Sequence, residues 1–184
     1  MRRVLGLALC LALAGCGGGG GSGSTLERGP MVAGFEFTEA SAVAEGEAVD
    51  VRYTCDGEDV SPALAWKGVP EGTKELALVV DDPDAPGGTF THWLLWGLDA
   101  AMTSLPEGVG SSIASLVSGK NDFGSTGYGG PCPPRGPRHR YVFRLLALRN
   151  PVALEPGVDR PSFDQAVAPH VIAEARLTAT YARK

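Results

Sequence analysis

The sequence runs to 184 residues, with 26 glycines, 14 prolines and a formal net charge of −5. A chain of this length holds one core plus modest extensions, and the glycine and proline content favours turns and short elements over long helices. The acidic balance excludes wholesale binding to nucleic acid, which needs a basic face, so any anion site must be local.

Arg2 and Arg3 precede an apolar run, Val4 to Leu13, that is too short for a permanent span, and Ala14-Gly15 supply small residues. Residues 1–15 therefore read as a signal peptide. Leu13-Ala14-Gly15-Cys16 has the form of a bacterial lipobox, in which Cys16 takes a diacylglyceryl group and becomes the mature N-terminus. Ordinary secretory cleavage beside an incidental cysteine is the alternative. Several acyl chains, at about 0.8 kcal/mol per buried CH₂, make such an anchor effectively permanent. Gly17 rather than aspartate follows the cysteine, so the expected location is the cell envelope, at the outer membrane facing the periplasm if the cell is Gram-negative.

Gly17 to Ser24 contains only glycine and serine and has no Walker lysine or preceding strand, so it reads as a tether rather than a phosphate loop. Residues 16–30 are assigned to the lipidated cysteine and its tether, and 31–184 to the folded domain. With Cys10 lost in the signal peptide and Cys16 lipidated, Cys55 and Cys132 remain in an oxidising compartment. A disulfide between them is the expectation; two buried thiols or a catalytic thiol are the alternatives.

Within the domain, Met31 to Phe37 and Val49 to Tyr53 alternate apolar and polar residues as half-buried strands do. Ala63 to Trp66 follows a Ser61-Pro62 turn. Lys74 to Val80 is a short apolar run, read as a central strand, that ends at the carboxylates Asp81 and Asp82. Phe90 to Leu98 and Tyr141 to Leu148 are two further strong strands, separated by a Gly-, Pro- and Ser-rich segment of a length usually functional or disordered. Ser162-Phe163-Asp164-Gln165 fits a capping box for a short helix through Ala168 or His170. Ala173 to Tyr181 alternates as an edge strand with one side buried.

Three segments carry candidate chemistry: Asp82-Pro83-Asp84-Ala85-Pro86, Thr91-His92-Trp93, and the Gly129-Gly130-Pro131-Cys132-Pro133-Pro134-Arg135-Gly136-Pro137-Arg138-His139-Arg140-Tyr141 loop and strand entry. Prolines fix φ and remove donors while glycines allow close backbone approach, which suits a preformed concave rim. Two histidines and a tyrosine can donate hydrogen bonds to an oxyanion, an aspartate can orient a histidine, and Arg135, Arg138 and Arg140 add positive potential at the mouth.

In this order the segments closely resemble the phosphatidylethanolamine-binding (Raf kinase inhibitor-like) family. The resemblance includes Asp56 to Pro62, Asn121-Asp122-Phe123-Gly124 with Gly127-Tyr128, and His170 to Tyr181, and it covers nearly all of the chain from Phe35 onward. It implies a mainly β fold in which a large antiparallel sheet packs on a smaller one, with one or two short helices near the C-terminus. It also implies a shallow pocket for phosphate, acetate or a phosphorylated head group, lined by Asp82, Asp84, His92, Pro134, His139 and Tyr141. Cys132 departs from the glycine that the family pattern allows at this rim position.

The expected function is thus a membrane-anchored binding protein for a small anionic or phosphorylated ligand, with no catalysis, cofactor or bound metal. The main alternative is a protein-binding inhibitor of a kinase or protease that uses the same pocket. A hydrolase is less favoured: Asp82, His92 and His139 lack a Gly-x-Ser-x-Gly elbow, and Ser61 lies before proline. Asp122-Phe123-Gly124 lacks the companion motifs of a kinase and reads as a turn.

Overall fold

The computed structural model describes residues 26–109 and 116–184. The expected signal peptide, Cys16 and the glycine run lie outside the described residues. Among the described residues, eight strands form two antiparallel sheets. The larger has the order β6-β4-β3-β7-β8, from Val117–Ser118 (β6), Phe90–Asp99 (β4), Glu75–Asp82 (β3), His139–Leu148 (β7) and Val171–Tyr181 (β8). The smaller has the order β1-β2-β5, from Glu36–Phe37 (β1), Leu64–Lys67 (β2) and Ser104–Leu105 (β5).

Alternation along the strands of the large sheet sends side chains to both of its faces, and both faces are covered. Leu76, Leu78, Val80, Leu95, Phe143 and Leu145 pack with Phe35, Leu64 and Trp66 on the side of the small sheet. Ala77, Val79, Leu94, Trp96 and Leu146 pack with Phe163 and Val167 of the helix α1, Arg160–Val167. All eight residues of β3 are buried, which explains its unbroken apolar run: it is the central strand of a sheet buried on both sides. Each fully buried Leu, Val or Phe contributes roughly 1.5–3 kcal/mol. β8 sits at a sheet edge with alternating burial, as its sequence pattern predicts.

Four local expectations are corrected. Val49 to Tyr53 is not a strand; Val51–Tyr53 is a 3₁₀ turn, because Asp50 caps the Arg52 amide at 2.9 Å and the Thr54 amide closes on Val51 O at 3.0 Å. Of Met31 to Phe37 only Glu36–Phe37 pairs as strand, since the chain turns at Gly34 (φ +86°) with Phe35 N donating to Val32 O. The cap of α1 is Asp159 rather than Ser162; its carboxylate accepts from the Ser162 amide at 3.0 Å, and Pro161 occupies the first turn, where no intrahelical N–H is needed.

The fourth concerns residues 26–30, which belong to the folded domain rather than to the tether. Leu26 is buried against Phe163 and Val167. Arg144 donates to the Leu26 and Glu27 carbonyls, and Glu174 accepts from the Gly29 amide at 2.8 Å while donating its own amide to Pro30 O at 2.9 Å. The buried Arg144–Glu174 pair has more donors and acceptors than its two partners use on each other, and the N-terminal segment satisfies the remainder.

Candidate functional site

The two carboxylates that end β3 face opposite ways. Asp81 points to the helix side, where it meets Arg160 at 2.5 Å and the Thr91 hydroxyl. Asp82 points to the other side, where its Oδ2 lies 2.7 Å from Nδ1 of His139, the first residue of β7.

His92 reaches the same place through a break in the pairing of β4. Val80 pairs with Trp93, but the next residue, Asp81, pairs with Thr91, so His92 is an extra residue bulged out of the ladder. A bulge of this kind re-aims a side chain locally. Its ring lies 5.2 Å from that of Tyr141, with the two planes nearly perpendicular. Phe90 and Phe123 complete a wall around it, at ring separations of 5.0 and 5.4 Å.

The loop that enters β7 is fastened at several points. Cys55 and Cys132 form a disulfide, and the Cys55 amide donates to Pro131 O. The Gly130 amide donates to Asp59 Oδ1 at 2.7 Å, and Asp59 itself adopts a left-handed backbone (φ 56°). The Tyr128 hydroxyl donates to Tyr53 O at 2.7 Å. Only glycine fits at position 130: a Cβ there would stand 2.4 Å from Tyr53 O and 2.7 Å from Asp59 Oδ1.

These contacts set the chemistry of the two imidazoles. His92 Nδ1 lies 2.7 Å from Gly129 O, and a carbonyl only accepts, so this nitrogen carries the proton and Nε2 remains. Burial holds the His92 pKa below that of a free imidazole despite the opposing Gly129 contact and the charge of Asp82. The neutral ring is therefore favoured at pH 7, and its Nε2 becomes a donor only on protonation. His139 gives its Nδ1 to Asp82, and Nε2 is the ring nitrogen that this contact leaves over.

Among the described residues the buried Tyr141 hydroxyl has no partner in good hydrogen-bond geometry, and the Asp82 carboxylate close to it is already engaged by His139. Burial first, then the charge of Asp82, push its pKa upward, so it stays a protonated donor. Unpaired buried hydroxyls cost roughly 1–3 kcal/mol and are uncommon in folded proteins. A buried donor without a partner, beside two imidazoles with one nitrogen each uncommitted, is an arrangement that an oxyanion would complete.

Comparison with known proteins matches residues 39–182 to the family model described as phosphatidylethanolamine-binding protein. The chain belongs to the phosphatidylethanolamine-binding protein family. Its relatives include a UPF0098 protein of Methanothermobacter thermautotrophicus, 48% identical over 135 residues that cover 72% of this chain and 89% of that protein. A Mycobacterium tuberculosis protein that carries the name lipoprotein LppC is 40% identical over 154 residues, covering 83% and 75%. Among solved structures, Escherichia coli YbcL superposes with a TM-score of 0.76 at 34% identity, over 83% of this chain and 100% of that one. A phosphatidylethanolamine-binding protein homologue from Chlamydia trachomatis gives 0.75 at the same identity and coverage.

Within this phosphatidylethanolamine-binding family member, the predicted residues divide. Asp82, His92, His139 and Tyr141 converge in one place. Asp84 is turned toward Arg140, whose guanidinium holds its carboxyl down to about 2, with contacts of 2.9 and 2.6 Å. Arg140 is thereby neutralised, so its expected contribution of free positive potential at the mouth is withdrawn. Arg135 donates to the Lys184 carbonyl. Pro134 is exposed, while its neighbour Pro133 is buried. Phe90 and Phe123 were not among the candidates. Phe123 does sit in a turn, closed by Gly124 N on Asn121 O, and its position against His92 arises from the turn's place in the fold.

Proposed function

We propose that this protein binds a small anion or phosphorylated head group reversibly among Asp82, His92, His139 and Tyr141, from a lipid-anchored position in the cell envelope, without turnover. The observation that carries the reading is the buried, unpartnered Tyr141 hydroxyl beside the two histidines. Asp82 orients His139, the Gly129 carbonyl orients His92, and the pinned loop keeps both from relaxing onto other partners. Such preorganisation lowers the ordering cost of binding. Ser61, the serine that a hydrolase reading would draw on, has its hydroxyl oxygen engaged by the Val109 amide at 2.8 Å.

The envelope location draws on the Leu13-Ala14-Gly15-Cys16 motif and on the lipoprotein name of the mycobacterial relative. Among the described residues no helix is long and apolar enough to cross a membrane. Incorporation of labelled palmitate that is lost in Cys16→Ser tests the anchor; labelling that persists in the variant refutes it.

The pocket is tested by calorimetric titration of the full chain with phosphoethanolamine and with inorganic phosphate, at pH 6 and pH 8, beside His92→Ala/His139→Ala. Saturable heat that weakens at pH 8 and loses its histidine-dependent component in the variant supports the reading. The absence of any histidine-dependent heat would transfer support to a protein-binding inhibitor that presents the same donors to a partner's carboxylate or phosphate.

A further inference from the structure

On the face of the large sheet that carries α1, across the Pro83–Thr89 loop from the histidines, lies a groove of about 200 Å³. Arg28, Arg144, Arg160 and Arg176 line it, and Asp81 is the one carboxylate of its wall. The sheet itself forces part of this crowding. Arg144 on β7 and Arg176 on β8 are direct partners in the antiparallel ladder, and like charges directly opposite destabilise a strand pair.

The nearby acids form no ion pair with Arg28 or Arg176 among the described residues, and the charges of Glu174 and Glu45 only partly offset the crowding at Arg176. Glu174 is bound by Arg144 and the Gly29 amide. Asp81 and Asp164 are engaged by Arg160. Glu45 accepts from the Thr178 amide at 2.7 Å. Neither Arg28 nor Arg176 forms an ion pair among the described residues, although Arg176 is half-buried. Burial first, then the charge of Arg28 with a smaller part from Arg144, lower the Arg176 pKa against the opposing charges of Glu174 and Glu45.

We propose that this groove is a second anion site, separate from the histidine pocket, in which Arg28 and Arg176 bind the oxygens of a phosphomonoester or phosphodiester. Guanidinium is suited to that task because its planar fork matches paired phosphate oxygens and because it stays charged where an imidazole would not. Leu26, where the described chain begins, is part of the same wall. A phospholipid phosphate and free inorganic phosphate share this chemistry, and the two arms of the test separate them.

The first arm titrates the full chain with inorganic phosphate at low salt, in the His92→Ala/His139→Ala background so that the histidine pocket does not report. Saturable binding is expected to persist there, to weaken about tenfold or more on adding Arg28→Gln/Arg176→Gln, and to weaken less with Arg176→Lys alone, which keeps the charge but loses the planar fork. The second arm compares sedimentation with phosphatidylglycerol and phosphatidylcholine vesicles. An excess on phosphatidylglycerol that falls in the arginine variant identifies the lipid phosphate as a source, whereas binding in the first arm alone identifies free phosphate. Thermal melts confirm that the variants fold; if Arg176→Gln does not, the exposed Arg28→Gln and the Arg176→Lys exchange carry both arms. No saturable phosphate binding together with equal sedimentation on both vesicles overturns the proposal, as does binding that the arginine substitutions leave unchanged.

Discussion

Asp82 Oδ2 and His139 Nδ1 are held 2.7 Å apart with both side chains buried, one at the last position of β3 and the other at the first of β7. The carboxylate determines which nitrogen of His139 carries the proton and which is left over, the one that the proposed anion would meet. Asp82→Asn removes the charge while keeping the shape. Anion affinity is expected to fall about tenfold, and stability by about 1–3 kcal/mol from the weakened buried contact. Calorimetry and denaturant unfolding of the same variant separate the two effects, and unchanged affinity would remove Asp82 from the site.

Tyr141→Phe separates binding from folding. The hydroxyl has no partner in good hydrogen-bond geometry among the described residues, so its removal is expected to leave stability unchanged within about 1 kcal/mol, or to raise it. Phosphate binding is expected to weaken by about tenfold, the worth of one hydrogen bond to a charged group. A variant that loses stability while retaining affinity would show that the hydroxyl has a structural role.

The depressed pKa of His92 fixes the sign of a pH effect. Between the ordinary imidazole value near 6.5 and the lower native value, the unfolded chain binds more protons than the folded one. The contribution is fully present above about pH 6.5 and is lost as pH falls through that window. A second window opens lower down, between 3.8 and about 2, as Asp84 loses its charge, with a small effect because the Arg140 pair is largely solvated. Ligand affinity runs the other way, because a bound anion favours a proton on His92 Nε2. Melting curves across pH 5–8 with and without phosphate should show the free protein losing stability on acidification while the shift caused by phosphate grows. His92→Gln should flatten both trends.

Cys55→Ser/Cys132→Ser opens a closure spanning 77 residues. The loop-entropy account places the stability loss at about 4.5 kcal/mol. Gly130→Ala attacks the same support without touching sulfur, by pressing a methyl group on Tyr53 O and Asp59, at a cost of about 3 kcal/mol. Both are expected to lower phosphate affinity when assayed well below their melting temperatures. Full retention of affinity would mean that the histidines are held without the loop.

The strands that frame the pocket were readable because β3, β4, β7 and β8 carry long apolar or alternating runs. Asp82, His92, His139 and Tyr141 came from segment order and family resemblance, and their convergence depends on features that leave little mark on a linear pattern. The bulge at His92 is a property of pairing between two strands, and nothing within Thr91-His92-Trp93 announces it. Val49 to Tyr53 alternates like a strand, yet Asp50 competes for the backbone through its own side chain and wins locally. The docking of residues 26–30 was hidden for a related reason: it depends on Arg144 and Glu174, which lie more than a hundred positions away.

Because Asp81 and Asp82 serve opposite faces of one strand, β3 cannot tolerate a change of length near its end. Loss or gain of one residue between Val80 and Asp82 would exchange the faces, sending the partner of Arg160 toward His139 and the partner of His139 toward the helix. The adjoining Pro83–Thr89 loop, with Gly87 and Gly88 in open space, is free of that restriction. Insertions and deletions among homologues should therefore accumulate in the loop and stop abruptly at Asp82.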